Sequence, residues 1–180
     1  GKKLKSIITG KYLDDCGNGI ISTEVSEQVA PGRVEYVKLY FDENGRISKE
    51  DARWRMRLSE GLAPYQDEKT GKYGYVGEDG TWVIAPTFDF ARDFKDGYAR
   101  TNYGGSMMLR DEPYGGQWGL IDTLGRETIP CRYYYLDTPG EGLAAFMLEQ
   151  FGNFGYVDVK GNVEISPRFA VAKPFSGGVA

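Results

Sequence analysis

Histidine is missing from all 180 residues, and with it the commonest general base and the commonest metal ligand. Cysteine is nearly missing. Cys16 and Cys131 are the only two, too few to build a zinc cluster without histidine. Basic residues are in deficit, with 22 Lys and Arg against 26 Asp and Glu and a net charge of −4. A phosphate backbone is gripped by a basic surface, so no nucleic-acid partner is expected. No apolar run is long enough to span a bilayer. Phosphate-binding glycine loops, a GxSxG elbow and a Ser-Lys motif with its partners are also absent. The 26 acidic residues single out no acid–base pair of the glycosidase kind. The chain is therefore not expected to be an enzyme, and no cofactor or metal is expected.

Two segments invite readings that their spacing rejects. DDCGNG, from Asp14, resembles a calcium loop, but an EF-hand would place Cys16 and Val25 where ligands are needed. A hairpin turn suits it better. No leader is visible. Gly1-Lys2-Lys3 reads as an end left by cutting, so a removed leader would allow an extracytoplasmic or cell-envelope location, and the compartment stays open.

What is abundant is glycine, tyrosine and phenylalanine: 25, 13 and 9. That composition suits short strands joined by tight turns. At 180 residues, the chain is also long enough to bury a sizeable core.

The stretch QWGLIDTLGRETIPC, from Gln117, has the outline of YGYVGEDGTWVIAP, from Tyr73, and of FGYVDVKGNVEISP, from Phe154. With Gly80, Gly125 and Gly161 as anchors, Gly74, Gly119 and Gly155 stand six residues earlier. Each follows an aromatic: Tyr73, Trp118 or Phe154. Ile84, Ile129 and Ile165 follow the anchors by four residues, and Pro86, Pro130 and Pro167 come next. Further glycines, Gly97, Gly142 and Gly178, follow the anchors by seventeen. Register of this kind outranks local signals. Two weaker copies, anchored at Gly17 and Gly45, precede the three and read as degenerate capping units.

Each unit reads as three strands: one after the Glu-Gly pair, one through the aromatic-Gly pair, and one ending at the isoleucine. The anchor glycine supplies φ > 0 at the turn. Asp14, Asp42, Asp122 and Asp158 stand where they can bond the turn amides. The proline is expected to end the third strand by removing a ladder donor, and the aromatics beside glycine are expected in the core. Cys16 and Cys131 occupy different repeat positions and are not expected to pair.

Aromatic-Gly-φ-φ-Asp-x-x-Gly, then Ile-Pro, then Phe-x-x-Gly-φ-Ala, resembles the bacterial WG-repeat family. Trp118-Gly119 carries the family dipeptide, with Tyr73-Gly74 and Phe154-Gly155 as aromatic variants. Phe94 and Phe175 keep the later phenylalanine, whereas Leu58 and Pro139 depart from it. The match is good over about 58–180 and weak over 1–57. The resemblance implies a β-repeat architecture and an interaction role, and it carries no catalytic residue.

Three features stand outside the register. Residues 48–58, with three arginines, start like a capped helix but alternate like a strand, and a solvated face is the default reading. Trp82 alternates with Val83 and Ile84 and is a candidate exposed aromatic. The third is an insertion. Gly61 to Gly74 and Gly142 to Gly155 each span 13 residues, but Gly97 to Gly119 spans 22. Insertions in repeats gather on one face, often the binding face, and methionine suits an adaptable surface. Tyr103, Met107, Met108, Leu109, Arg110 and Tyr114 are therefore candidate binding residues. A longer hairpin folded over its own unit is the alternative. Gly105, within this loop, is expected to tolerate a side chain, unlike Gly125.

The expected fold is all-β: tandem three-stranded antiparallel meanders in a solenoid or propeller-like arc, with degenerate units over 1–57 and WG-type units over 58–180. A closed ring of five units is the runner-up. It would pair Val179 with residues 4–9, for which the four residues after Ser176 make too short a strand. The expected function is a non-enzymatic binding or scaffold module for a protein or peptide. A carbohydrate or cell-envelope binder is the alternative, and it would show exposed ring pairs.

Overall fold

A computed structural model describes residues 13–30, 32–107 and 113–180. The chain forms two compact units, divided between Leu58 and Ser59.

In the first unit, β1 (Asp14–Gly17), β2 (Ile20–Ala30), β3 (Arg33–Asp42) and β4 (Gly45–Ile47) form one antiparallel sheet in that order. The β1–β2 turn falls on Asn18 and Gly19, both at positive φ, which matches the twist of the strands it joins. The expected anchor, Gly17, is instead a bulge residue at φ 83°, its N–H bonded to Asp15 and not to Asp14. The Asp42 carboxylate does accept from the Asn44 and Gly45 amides, as expected. The long β2–β3 pairing, from Ile21↔Phe41 to Ala30↔Arg33, has no counterpart in the repeat register.

Residues 48–58 resolve as a helix, α1 (Lys49–Arg55). The Ser48 hydroxyl accepts from the Asp51 amide at 2.9 Å and donates to its carboxylate at 2.9 Å. This box satisfies a donor that the first turn leaves open, which decides for helix over the weak alternation. Ala52 and Trp54 are buried. Arg55 lies 2.6 Å from Asp42, so this part of the basic cluster is tied to its own sheet. The Asn18 amide group donates to the carbonyls of Arg55, Met56 and Leu58, closing the helix end.

The second unit opens with β5 (Ala63–Gln66), β6 (Tyr73–Val76) and β7 (Trp82–Phe88), a three-stranded antiparallel sheet. Next come β8 (Phe90–Ala91), β9 (Tyr98–Met107), β10 (Pro113–Asp122) and β11 (Glu127–Tyr133), then β12 (Tyr135–Leu136), β13 (Leu143–Met147), β14 (Phe154–Asp158) and β15 (Val163–Phe169). Each of these groups is a four-stranded antiparallel sheet. The fold is all-β meander, as expected, with one correction. Pro86, Pro130 and Pro167 do not end their strands. β7, β11 and β15 run on to Phe88, Tyr133 and Phe169. After β7 and β11 a single residue, Asp89 or Tyr134, leads into the short edge strand of the next sheet. Two of the repeats thus lend their neighbour a fourth strand.

The proline is tolerated because it sits in a bulge. Tyr73 pairs with Phe88 and Tyr75 with Ile84, so two residues of β6 span four of β7. The bulge pushes β7 backbone towards Gly74, where a Cβ would lie 2.4 Å from the Ile84 oxygen. Gly119 faces the Ile129 oxygen at 2.4 Å and Gly155 the Ile165 oxygen at 2.5 Å. The aromatic-Gly dipeptide therefore needs glycine for space, while the anchors Gly80, Gly125 and Gly161 need it for φ of 78°, 77° and 89°. Asp122 and Asp158 bond their turn amides.

The core lies between successive sheets. Tyr75, Ile84 and Phe88 pack with Phe94, Ala99 and Ile121 of the next repeat. One repeat further, Leu120, Ile129 and Tyr133 pack with Ala144, Phe146 and Val157. Each fully buried side chain of this size is worth about 1.5–3 kcal/mol. Trp118 is buried, and Tyr73 and Phe154 are half-buried, so the rings beside glycine serve the junctions. A second link joins the repeats at their Glu-Gly turns. The Glu60 carboxylate accepts from the Gly97 amide at 2.9 Å, and Glu141 accepts from Gly177 and Gly178 at 2.6 and 2.8 Å.

Both cysteines are free. Val179 bridges Ser176, while the ring reading turns on residues 4–9, which lie outside the described residues. Among the described residues, no helix is long and apolar enough to cross a membrane.

Candidate binding surface

The insertion is an extension of one hairpin. β9 and β10 pair from Tyr98↔Asp122 out to Met107↔Pro113. The flanking strands stop short: β8 reaches only Asn102, and β11 only Trp118. Beyond these points, residues 103–107 and 113–117 form a two-stranded arm, and among the described residues no third strand pairs with it. Free strand edges of this kind are templates for pairing with another chain.

The base of the arm is built around a buried polar side chain. Asn102 is fully buried. Its side-chain oxygen accepts from the Gly105 amide at 3.0 Å, and its NH2 donates to the Gly115 carbonyl at 3.3 Å. Satisfied buried polar groups fix geometry, because leaving one unpaired costs about 1–3 kcal/mol. Asp89, the single residue between β7 and β8, accepts from the Gly104 amide at 2.8 Å and from the Lys72 ammonium at 2.6 Å. The Lys72 bond is the main reason that its carboxyl is held below its ordinary value. Space here is scarce. A Cβ on Gly105 would stand 2.5 Å from the Asn102 oxygen, and one on Gly116 2.3 Å from it. Gly105 thus does not sit in a tolerant loop; it is part of the neck.

The candidate residues fall in three groups. Tyr103 stands at the neck, 38% exposed, its ring 5.3 Å from that of Phe88. Met107 and Tyr114 lie on the arm strands, near the tip. Met108, Leu109 and Arg110 lie outside the described residues. Trp82 is on a different sheet, 41% exposed, and its ring lies 5.9 Å from the ring of Tyr65.

Sequence reasoning passed over the equivalent connection of the third repeat. There, between β13 and β14, Leu148 is 61% and Phe151 93% exposed. Phe151 also holds φ at 63°, which is unusual for a bulky residue. The signal was present in LEQFGN, from Leu148, as a second aromatic with no place in the register.

Residues 73–105, 118–150 and 154–180 match the model of the WG-containing repeat, together more than half of the chain. The chain belongs to the WG-repeat family. Residues 106–117, which contain most of the arm, fall between the first and second WG matches. No curated protein and no solved structure matches the chain.

Proposed function

We propose that this WG-repeat chain is a non-enzymatic binding or scaffold module for a protein or peptide, and that the partner docks on the arm formed by residues 103–107 and 113–117. One observation carries the proposal: the arm leaves both flanking strands behind, yet is held at its base by a buried asparagine whose side-chain oxygen and nitrogen are both hydrogen-bonded. A rigid base under two open edges suits strand addition, in which backbone bonds supply affinity and alternate side chains specificity. The place of its outer part, 106–107 and 113–117, outside the matched repeats fits a feature added to a structural frame. Leu148 and Phe151, exposed at the equivalent connection of the next repeat, widen the apolar offering.

Deleting residues 106–114 tests this. Gly105 and Gly115 are paired across the hairpin, so their fusion leaves four glycines to close the turn between Tyr103 and Gln117. The shortened chain is expected to melt like the parent and to lose its partner in a pull-down. Retention of the same partner would refute the proposal.

A specific observation favours a second reading. The exposed Trp82 ring pairs with that of the half-buried Tyr65, and an exposed ring in such a pair is what a carbohydrate or cell-envelope binder would present. Glycan-array binding that disappears in Trp82→Ala, and survives the deletion of 106–114, would transfer the function to that pair.

A further inference from the structure

The first unit contains both Asn-Gly pairs of the chain, Asn18-Gly19 and Asn44-Gly45, and their side chains are held differently. An asparagine followed by glycine is open to attack by its own backbone, because glycine leaves the next nitrogen unshielded. In the β1–β2 turn, Asn18 Nδ2 donates to the carbonyls of Arg55, Met56 and Leu58 at 2.9, 3.2 and 3.2 Å. Three acceptors around one atom fix it as the nitrogen, since the amide oxygen could only accept. At Asn44 the backbone N–H bonds Asp42, but the side chain is exposed and no bond to a described residue holds it.

We propose that Asn18-Gly19 is a deamidation site gated by α1. In the reaction the Gly19 nitrogen bonds to Asn18 Cγ, the Cγ–Nδ2 bond breaks, and the Gly19 amide proton leaves with Nδ2 as ammonia. Water then opens the succinimide at one of its two carbonyls. One opening leaves an aspartate; the other leaves an isoaspartate, with the main chain rerouted through Cγ. Ring closure needs the Asn18 side chain to rotate until Cγ meets the Gly19 nitrogen, and three bonds to the end of α1 resist that rotation. Conversion therefore proceeds from the opened state, at a rate set by how often α1 leaves the turn.

The product cannot restore the contact. A carboxylate has no proton to donate, and at position 18 it would face three carbonyls at the negative end of a helix. The isoaspartate form also lengthens the main chain of a two-residue turn whose ends, Gly17 and Ile20, are paired. Conversion is thus a one-way release of α1, whose docking buries Trp54 and ties Arg55 to Asp42 at 2.6 Å.

The full chain is aged at mildly alkaline pH, folded and in denaturant, and conversion at each site is read by peptide mass spectrometry. In the folded chain position 44 is expected to convert about tenfold faster than position 18, or more; in denaturant the two rates should converge. Ser48→Ala removes the cap at the far end of α1. It is expected to speed position 18 about fivefold and to leave position 44 unchanged. In Asn18→Asp, which makes one product directly, amide hydrogen exchange at 52–58 is expected to run about tenfold faster than in the parent. The ageing experiment needs no variant at position 18, so it decides even if that chain fails to fold. Equal rates at the two positions in the folded parent would overturn the proposal. So would a position-18 rate indifferent to Ser48→Ala, or parent-like exchange at 52–58 in Asn18→Asp.

Discussion

Gly119→Ala isolates the tightest claim about the repeat, that the aromatic-Gly glycine is a matter of space and not of φ. The new Cβ would stand 2.4 Å from the Ile129 oxygen, 2.7 Å from the Cys131 nitrogen and 2.9 Å from the Pro130 carbonyl carbon. All three are backbone atoms, so no rotamer change relieves the contact. β10 and β11 must separate by close to an ångström, beside the buried Trp118, Leu120 and Ile129. Overpacking typically costs about 1–3 kcal/mol, and a contact with no side-chain escape belongs at about 3 kcal/mol. For a chain of this size that lowers the melting temperature by about 6–12 °C. The control is Gly97→Ala, at φ 83° with nothing within 4 Å of its Cβ. Only backbone strain opposes it, about 1–2 kcal/mol. Asparagine separates the two causes, because it tolerates the left-handed region. Gly97→Asn should recover most of the loss, and Gly119→Asn none. Calorimetry on the four variants reads this directly. A Gly119→Ala chain melting within about 2 °C of the parent, or asparagine rescuing both sites alike, would refute the reasoning.

At the turn-to-turn links, the middle position carries Asp96 in place of glutamate, and no bond from its carboxylate to the Gly142 amide accompanies those of Glu60 and Glu141. Asp96→Glu restores the missing methylene and should raise the melting temperature by about 2 °C, worth roughly 0.5–1 kcal/mol; no rise would count against the ladder of turns. For acid stability, Lys72 holds the Asp89 carboxyl below its ordinary value near 3.8. Its contribution is therefore full above that value and lost as pH falls through the lower folded one. Asp89→Asn should flatten the stability curve below about pH 4, and an unchanged curve would remove Asp89 from the neck. Burial pushes the Cys131 thiol up to about 11, so at pH 8 a maleimide should label it far more slowly in the folded chain than in denaturant. Rapid labelling at Cys131 would mean that β11 opens readily.

The repeat was legible because its constraints are backbone constraints. In the three WG-type repeats, anchor glycines, aromatic-Gly pairs and isoleucines all fell at the positions that the register assigned them. The proline was misplaced for a reason the single strand hides. Pro86 alone reads as a stop, and only the Tyr73↔Phe88 pairing reveals a bulge that lets the strand continue into the next sheet. The first unit was poorly legible because its Asn18-Gly19 turn lies beside a glycine, Gly17, that also has positive φ, so spacing chose the wrong one. The arm was legible as an insertion by count. Its neck was not, since nothing in the sequence marks Asn102 as buried or Gly105 as crowded. Phe151 was visible throughout and was passed over because it answered no repeat position.

The account stands most directly on the arm as the docking element, and site-specific photocrosslinking measures that. A photoreactive residue at Ser106, exposed on the arm, is compared with one at Glu164, exposed on β15. Both chains are crosslinked in the presence of the partner recovered by pull-down, and the adducts are mapped by mass spectrometry. The account predicts a partner adduct from Ser106 that disappears when excess unmodified chain competes, and none from Glu164. Adducts from Glu164 with Ser106 silent would contradict it.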